Sequence, residues 1–163
     1  MSSPGSLSTR EAYGWYSAYV PDLDFALIAE YVKLEQGLAH VVAGGMDTIR
    51  TTDMPIGHNI GLLLRISFDR FECNRPHRVE VIVQDEDGGR LVGLTATGKP
   101  LWRNEWPVTW KSSQAFAFNL SLPLKRPGVH EFKILVNDSL MKTIPFLVIH
   151  ALPDMPETQS LPE

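Results

Sequence analysis

Ile60-Gly61-Leu62-Leu63-Leu64-Arg65-Ile66-Ser67-Phe68 puts a large apolar side chain at every even position, with Gly, Leu, Arg and Ser between them. A two-residue period of this kind marks a β-strand with one core face. The same rhythm recurs on both sides. Val79, Val81 and Val83 alternate with Glu80 and Ile82, then stop at Asp85-Glu86-Asp87-Gly88-Gly89, a turn sequence that predicts a return strand over Arg90 to Leu94. Phe116 to Leu122 alternates, as does His130 to Val136; Asn137-Asp138 then turns the chain into a last strand, Leu140 to Ile149. Pro145 has no amide proton to give a ladder, so this last strand is expected to be an edge or to carry a bulge.

The segment Phe25 to Ala43 reads two ways. Ile28, Tyr31, Leu34, Leu38, Val41 and Val42 fit a helical stripe, with Asp22 or Asp24 as a cap. Gln36-Gly37 interrupts the middle, however, and Gly44-Gly45 closes the end, so two strands are expected, Phe25 to Leu34 and Leu38 to Ala43. Strands at this spacing, with few helical windows, predict an all-β fold: an antiparallel, immunoglobulin-like two-sheet sandwich of about eight strands. It would occupy residues 21–150. The flanks differ in composition: 1–20 carries an aromatic segment, and 151–163 is Pro-rich and acidic.

A length of 163 residues fits one domain with its own core, and 44% hydrophobic with 21% charged residues is an ordinary globular balance. The net charge of −4, with no long Lys/Arg run, argues against a nucleic-acid partner, because phosphate binding needs a concentrated basic surface. No apolar run is long enough to cross a bilayer as a helix, and Met1 to Arg10 lacks the layout of a secretory signal. One cysteine, Cys73, forms no internal disulfide. A cytoplasmic location is expected, in which case the sequons at Asn119 and Asn137 stay unmodified.

The run Leu27-Ile-Ala-Glu-Tyr-Val32, with Gly37-Leu38, Gly44-Gly45-Met46-Asp47, Asn74-Arg75-Pro76-His77, Asp85-x-Asp87-Gly88 and Pro127-Gly128-x-x-x-Phe132, resembles an uncharacterised bacterial family of unknown function, DUF6941. Met46 stands where that family usually carries an aromatic. The resemblance covers Phe25 to Ile149 and implies an immunoglobulin-like sandwich with a hairpin at Phe25 to Ala43. It implies no activity.

No complete catalytic or metal-binding signature is present. Gly93-Leu-Thr-Ala-Thr-Gly98-Lys99-Pro100 misses a Walker A loop because Pro100 replaces the hydroxyl that holds Mg²⁺, and no helix follows to meet the phosphates. Among His40, His58, His77, His130 and His150, only His77 lies close in sequence to Cys73, and no second pair completes a tetrahedral site. His130 falls on the apolar face of its strand, as a core histidine bonded to a carbonyl does. Asp85, Glu86 and Asp87 lack the rest of a Ca²⁺ loop and fit a solvated turn. Neither metal nor cofactor is expected. An enzyme would have to use Cys73 with His77, and sequence proximity does not aim a base at a thiol.

The aromatics are unevenly placed. Phe residues mostly occupy strands, whereas Trp15, Trp102, Trp106 and Trp110 lie outside them, as do Tyr13, Tyr16 and Tyr19. Burying one large aromatic is worth roughly 4–6 kcal/mol at about 25 cal/mol per Å². Two segments, Tyr13 to Tyr19 and Leu101 to Trp110, must therefore pack against something. Three readings follow: an internal cap on the sandwich, a contact with another protein chain (foremost a second copy), or a platform for sugar rings. The expected function is a non-enzymatic interaction or assembly module that self-associates through these aromatics. Carbohydrate or small-ligand binding by the Trp loop is the alternative.

Overall fold

The computed structural model describes residues 20–152. Ten strands run in order: β1 (Asp22–Ala29), β2 (Tyr31–Glu35), β3 (Leu38–Val42), β4 (Thr48–Thr51), β5 (Ile56–Phe68), β6 (His77–Gln84), β7 (Arg90–Gly98), β8 (Ser112–Leu124), β9 (Gly128–Val136) and β10 (Ser139–His150). The only helical turn among the described residues is the short 3₁₀ segment Arg70–Glu72. The fold is all-β, as the alternation requires.

Three sheets form rather than two. One is ordered β1-β5-β8, one β4-β10-β9-β6-β7, and the third is the β2-β3 hairpin. The first two face each other over a single core. Ile60, Leu62, Leu64, Ile66 and Phe68 of β5 and Phe116, Phe118, Leu120, Leu122 and Leu124 of β8 meet Val79, Val81, Val83, Phe132, Ile134, Val136, Phe146 and Val148. The even positions of the Ile60 to Phe68 run are thus the inward ones.

Two further expectations are corrected. The count of eight fails partly because the predicted strand Phe25 to Leu34 is split at Glu30. Up to Ala29 the chain pairs with β5, and from Tyr31 it pairs with β3 instead. It fails also because β4 is four residues long with one inward apolar side chain, Ile49, too little for a periodic signal. Nor is every pairing antiparallel: β4 lies parallel to the end of β10, Leu147↔Thr48 to His150↔Thr51. Pro145 falls just before that pairing begins, where the far side of β10 has no ladder to feed. The bulge in β10 sits elsewhere, between Leu140 and Lys142.

The hairpin makes a small second core on the outer face of the three-stranded sheet. Ala29, Val32 and Leu63 are buried together there, with Leu34 and Ala117 against them. Leu63 is the odd position that breaks the polar row in Ile60 to Phe68. The chain crosses tightly: a Cβ at Gly61 would lie 3.0 Å from the Val32 nitrogen. Beside it, the Asn119 side chain bonds both backbone groups of Val32, its Oδ1 accepting the amide at 3.0 Å and its Nδ2 donating to the carbonyl at 2.7 Å. A side-chain amide thereby stands in for the neighbouring strand that β2 lacks.

Candidate functional site

Antiparallel pairing of β5 with β8 sets Phe68 opposite Ser112 at one end of the sandwich. Both the 3₁₀ turn and the loop from Lys99 to Lys111 emerge there. The two are tied together: the Asn74 amide donates to the Pro100 carbonyl at 2.7 Å, and the Ser112 hydroxyl donates to the Leu101 carbonyl at 3.0 Å. Within the loop, two tight turns close as Trp106 N–H reaches the Arg103 carbonyl and Trp110 N–H reaches the Pro107 carbonyl. The loop is braced by hydrogen bonds rather than draped over the surface.

Its three tryptophans fare differently. Trp102 is half-buried against the main core, and its ring meets Trp106 edge-on at 5.5 Å. The Arg70 guanidinium lies 6.0 Å over the Trp102 ring and that of Arg103 lies 5.8 Å over Trp106, a cation–π arrangement favourable on a partly dry surface. Trp102 and Trp106 thus form part of an internal cap. Trp110 does not: it is 56% exposed, and Leu101 (63%) and Val108 (72%) are exposed in the same loop. Edge-on indoles with guanidiniums over them offer a planar ligand no pair of parallel open faces. Tyr13, Trp15, Tyr16 and Tyr19 lie outside the described residues.

Cys73 and His77 have separate partners. The Cys73 thiol donates to the Asp69 carbonyl at 3.3 Å, and burial first, then the Glu72 and Asp69 charges, push its pKa up. A thiol so placed is held away from the nucleophilic thiolate. His77 is buried; its Nε2–H donates to the Glu72 carbonyl at 2.6 Å, and its Nδ1 accepts the Asn137 side-chain amide at 2.9 Å. Both ring nitrogens are thereby committed to holding the turn beneath the Trp loop. His130 is buried with Nδ1 against the Gly128 carbonyl at 3.1 Å, as its place on the apolar face predicts.

Glu72 is a buried carboxyl that sequence reasoning did not single out. Desolvation raises its pKa, opposed by the Asp69 amide bonded at 3.3 Å and by the charge of Arg75. A carboxyl that holds its proton more tightly when folded adds stability at low pH and loses it as pH rises through the folded-state pKa. Glu72→Gln removes that loss. In urea titrations its midpoint is therefore expected to gain on wild type as pH rises from about 4, near the unfolded glutamate pKa, to about 7.5. A gap independent of pH would show that folding leaves the Glu72 carboxyl unshifted.

The acidic turn is accounted for without an ion. Asp85 Oδ1 accepts the Gly89 amide at 2.7 Å and the Asp87 amide at 3.1 Å, while Arg126 bridges Asp85 and Asp87. These bonds, the Gly89 amide foremost, lower the pKa of Asp85. No cluster of three potential metal ligands occurs among the described residues. Gly93 and Gly98 lie within β7, so the Gly-Lys-Pro sequence simply leaves a strand. A cleft of about 480 Å³ lies at the far end from the Trp loop, lined by Pro55, Ile56, Val92, Pro123, Leu124 and Lys125. No described helix is long and apolar enough to span a membrane.

A family model matches residues 24–149. The chain belongs to DUF6941, a family of unknown function. No curated protein matches this DUF6941 chain. Among solved structures it is similar to the C-terminal domain of Wzt (10% identity, TM-score 0.46, covering 88% of this chain and 83% of that one). It is also similar to an immunoglobulin-like protein from Pseudomonas aeruginosa (16% identity, TM-score 0.38, 80% and 97%). A third likeness is to the alkylpurine DNA glycosylase AlkC of Pseudomonas fluorescens bound to DNA (11% identity, TM-score 0.43, 79% and 30%). The DUF6941 chain therefore spans under a third of the glycosylase, and no activity is transferred from any of these proteins.

Proposed function

We propose that this chain is a non-enzymatic, immunoglobulin-like interaction module that assembles with protein partners, a second copy of itself foremost, through the end of the sandwich bearing the Trp loop. The observation that carries the reading is Trp110, which stays 56% exposed in a loop fixed by two turns and a hydrogen-bonded base. A braced loop that holds an indole outward, with Leu101 and Val108 also exposed in the same loop, keeps its binding surface preorganised, and Trp is enriched at the centres of interfaces.

The test is solution mass. Trp110→Ser touches no core contact, so the fold should survive. At matched concentration the weight-average mass measured by light scattering is expected to fall relative to wild type. A mass of 18.3 kDa for the wild-type chain at every concentration, or a mass unchanged by the substitution, ends this reading.

A further inference from the structure

β3 is the least covered of the described strands. All five of its residues, Leu38-Ala39-His40-Val41-Val42, are exposed, Leu38 at 69% and Val42 at 52%, although the segment is almost wholly apolar. It pairs with β2 on one side only. The two-residue turn at Gln36-Gly37, both with positive φ, makes Glu35↔Leu38 the first hydrogen-bonded pair. Bonded and non-bonded pairs alternate along an antiparallel ladder. The peptide groups of Leu38, His40 and Val42 therefore face β2, and those of Ala39 and Val41 face outward. No hydrogen bond reaches those outward groups from any described residue.

Natural edge strands are guarded by lysine, proline, a bulge or a cover, because an open edge is a template for another strand. Among the described residues β3 has none of these: its register with β2 is unbroken, nothing covers its outer edge, and it contains no Lys, Arg, Asp, Glu or Pro. The geometry points to β3 as a self-pairing edge, joining two copies of this chain antiparallel about a two-fold axis at His40. In that register Ala39 of one copy exchanges both of its backbone hydrogen bonds with Val41 of the other, so the outward groups on the two chains satisfy each other. Leu38 lies opposite Val42 at both ends, His40 faces its own counterpart at the axis, and no Lys, Arg, Asp or Glu of β3 is brought into the seam. The sequence is thus complementary to itself under the symmetry most common in homo-oligomers. The two hairpins become one four-stranded layer. Its inner face continues, through the cross-strand partners Ala39 and Val41, the row Val32 and Leu34 that packs on the Leu63 core.

This pairing is independent of the Trp loop and is tested with that end disabled. In a Trp110→Ser background, sedimentation over a concentration series is expected to show mass rising from 18.3 kDa toward twice that value. Adding Leu38→Lys with Val42→Lys sets like charges across both Leu38–Val42 pairs and should weaken the dimer by about tenfold or more. Leu38→Lys with Val42→Glu sets opposite charges across the same pairs and should restore it. Both variants change only exposed positions of one strand, so a general loss of folding would strike them alike and show in the circular-dichroism spectrum. The proposal is overturned if the background chain stays monomeric to its solubility limit, if the two lysines leave the dissociation constant unchanged, or if the Lys/Glu combination dissociates the dimer as far as the two lysines do. Mass lost with Trp110→Ser alone bears on the Trp-loop reading and not on this one.

Discussion

Alanine in place of His77 is expected to lower the unfolding free energy by about 3–5 kcal/mol, the range for emptying a large core position and orphaning buried polar groups. The imidazole fills space beside Phe68, ring centroids 4.7 Å apart, and is the only partner of the Glu72 carbonyl among the described residues. Its removal leaves a void and the buried Glu72 carbonyl in an enclosed place, while the amide of exposed Asn137 turns to solvent. Because that carbonyl belongs to the 3₁₀ turn, whose Arg70 covers Trp102, the loss should also show as a changed tryptophan emission in the still-folded protein. Urea denaturation followed by fluorescence reads both effects. A loss under about 1 kcal/mol, the net worth of one ordinary hydrogen bond, would mean the site relaxes and His77 is not the post described here.

The second large effect is expected at Asn119. Asn119→Ala removes donor and acceptor at once from the two backbone groups of Val32, a residue with no exposed surface. Each unsatisfied buried group costs about 1–3 kcal/mol, so about 2–4 kcal/mol is expected in total if part of the deficit is met by water. The loss should be local. Hydrogen exchange in β2 and β3 is expected to accelerate while β6 and β9 stay protected, since the main core is untouched. Uniform acceleration would show that hairpin and sandwich unfold as one.

Much of the architecture could be read from alternation alone. The long strands β5, β8 and β9 and the valine face of β6 follow directly from it, because burial on one side of a sheet enforces a period of two. What escaped was geometry without a compositional mark. Nothing at Glu30 announces that the chain leaves one sheet for another; no Gly or Pro stands there, and apolar residues continue on both sides. Leu63 did carry a signal, an apolar side chain on the row read as outward, and it belongs to the second core. The Trp loop was legible as an aromatic segment outside the strands. Its division into capping Trp102 and Trp106 and protruding Trp110 was not, because Arg70 and Asn74, which help fix it, are about thirty residues away in the chain. Glu72 gave no sign at all, since an isolated acidic residue in a turn is ordinarily solvated.

The clasp that holds Val32 has a consequence for the order in which the molecule is made. Its two ends are 87 residues apart, so at roughly 5–20 residues per second the ribosome spends on the order of 4–17 s between them. Throughout that interval the ribbon exists with its uncharged margin open, with Leu63 of β5 to rest on but without the clasp that fixes it there. A nascent chain in that state is most vulnerable to its own neighbours on the same messenger, whose ribbons have matching margins. Crowded translation of this protein should therefore favour premature partnering over waiting.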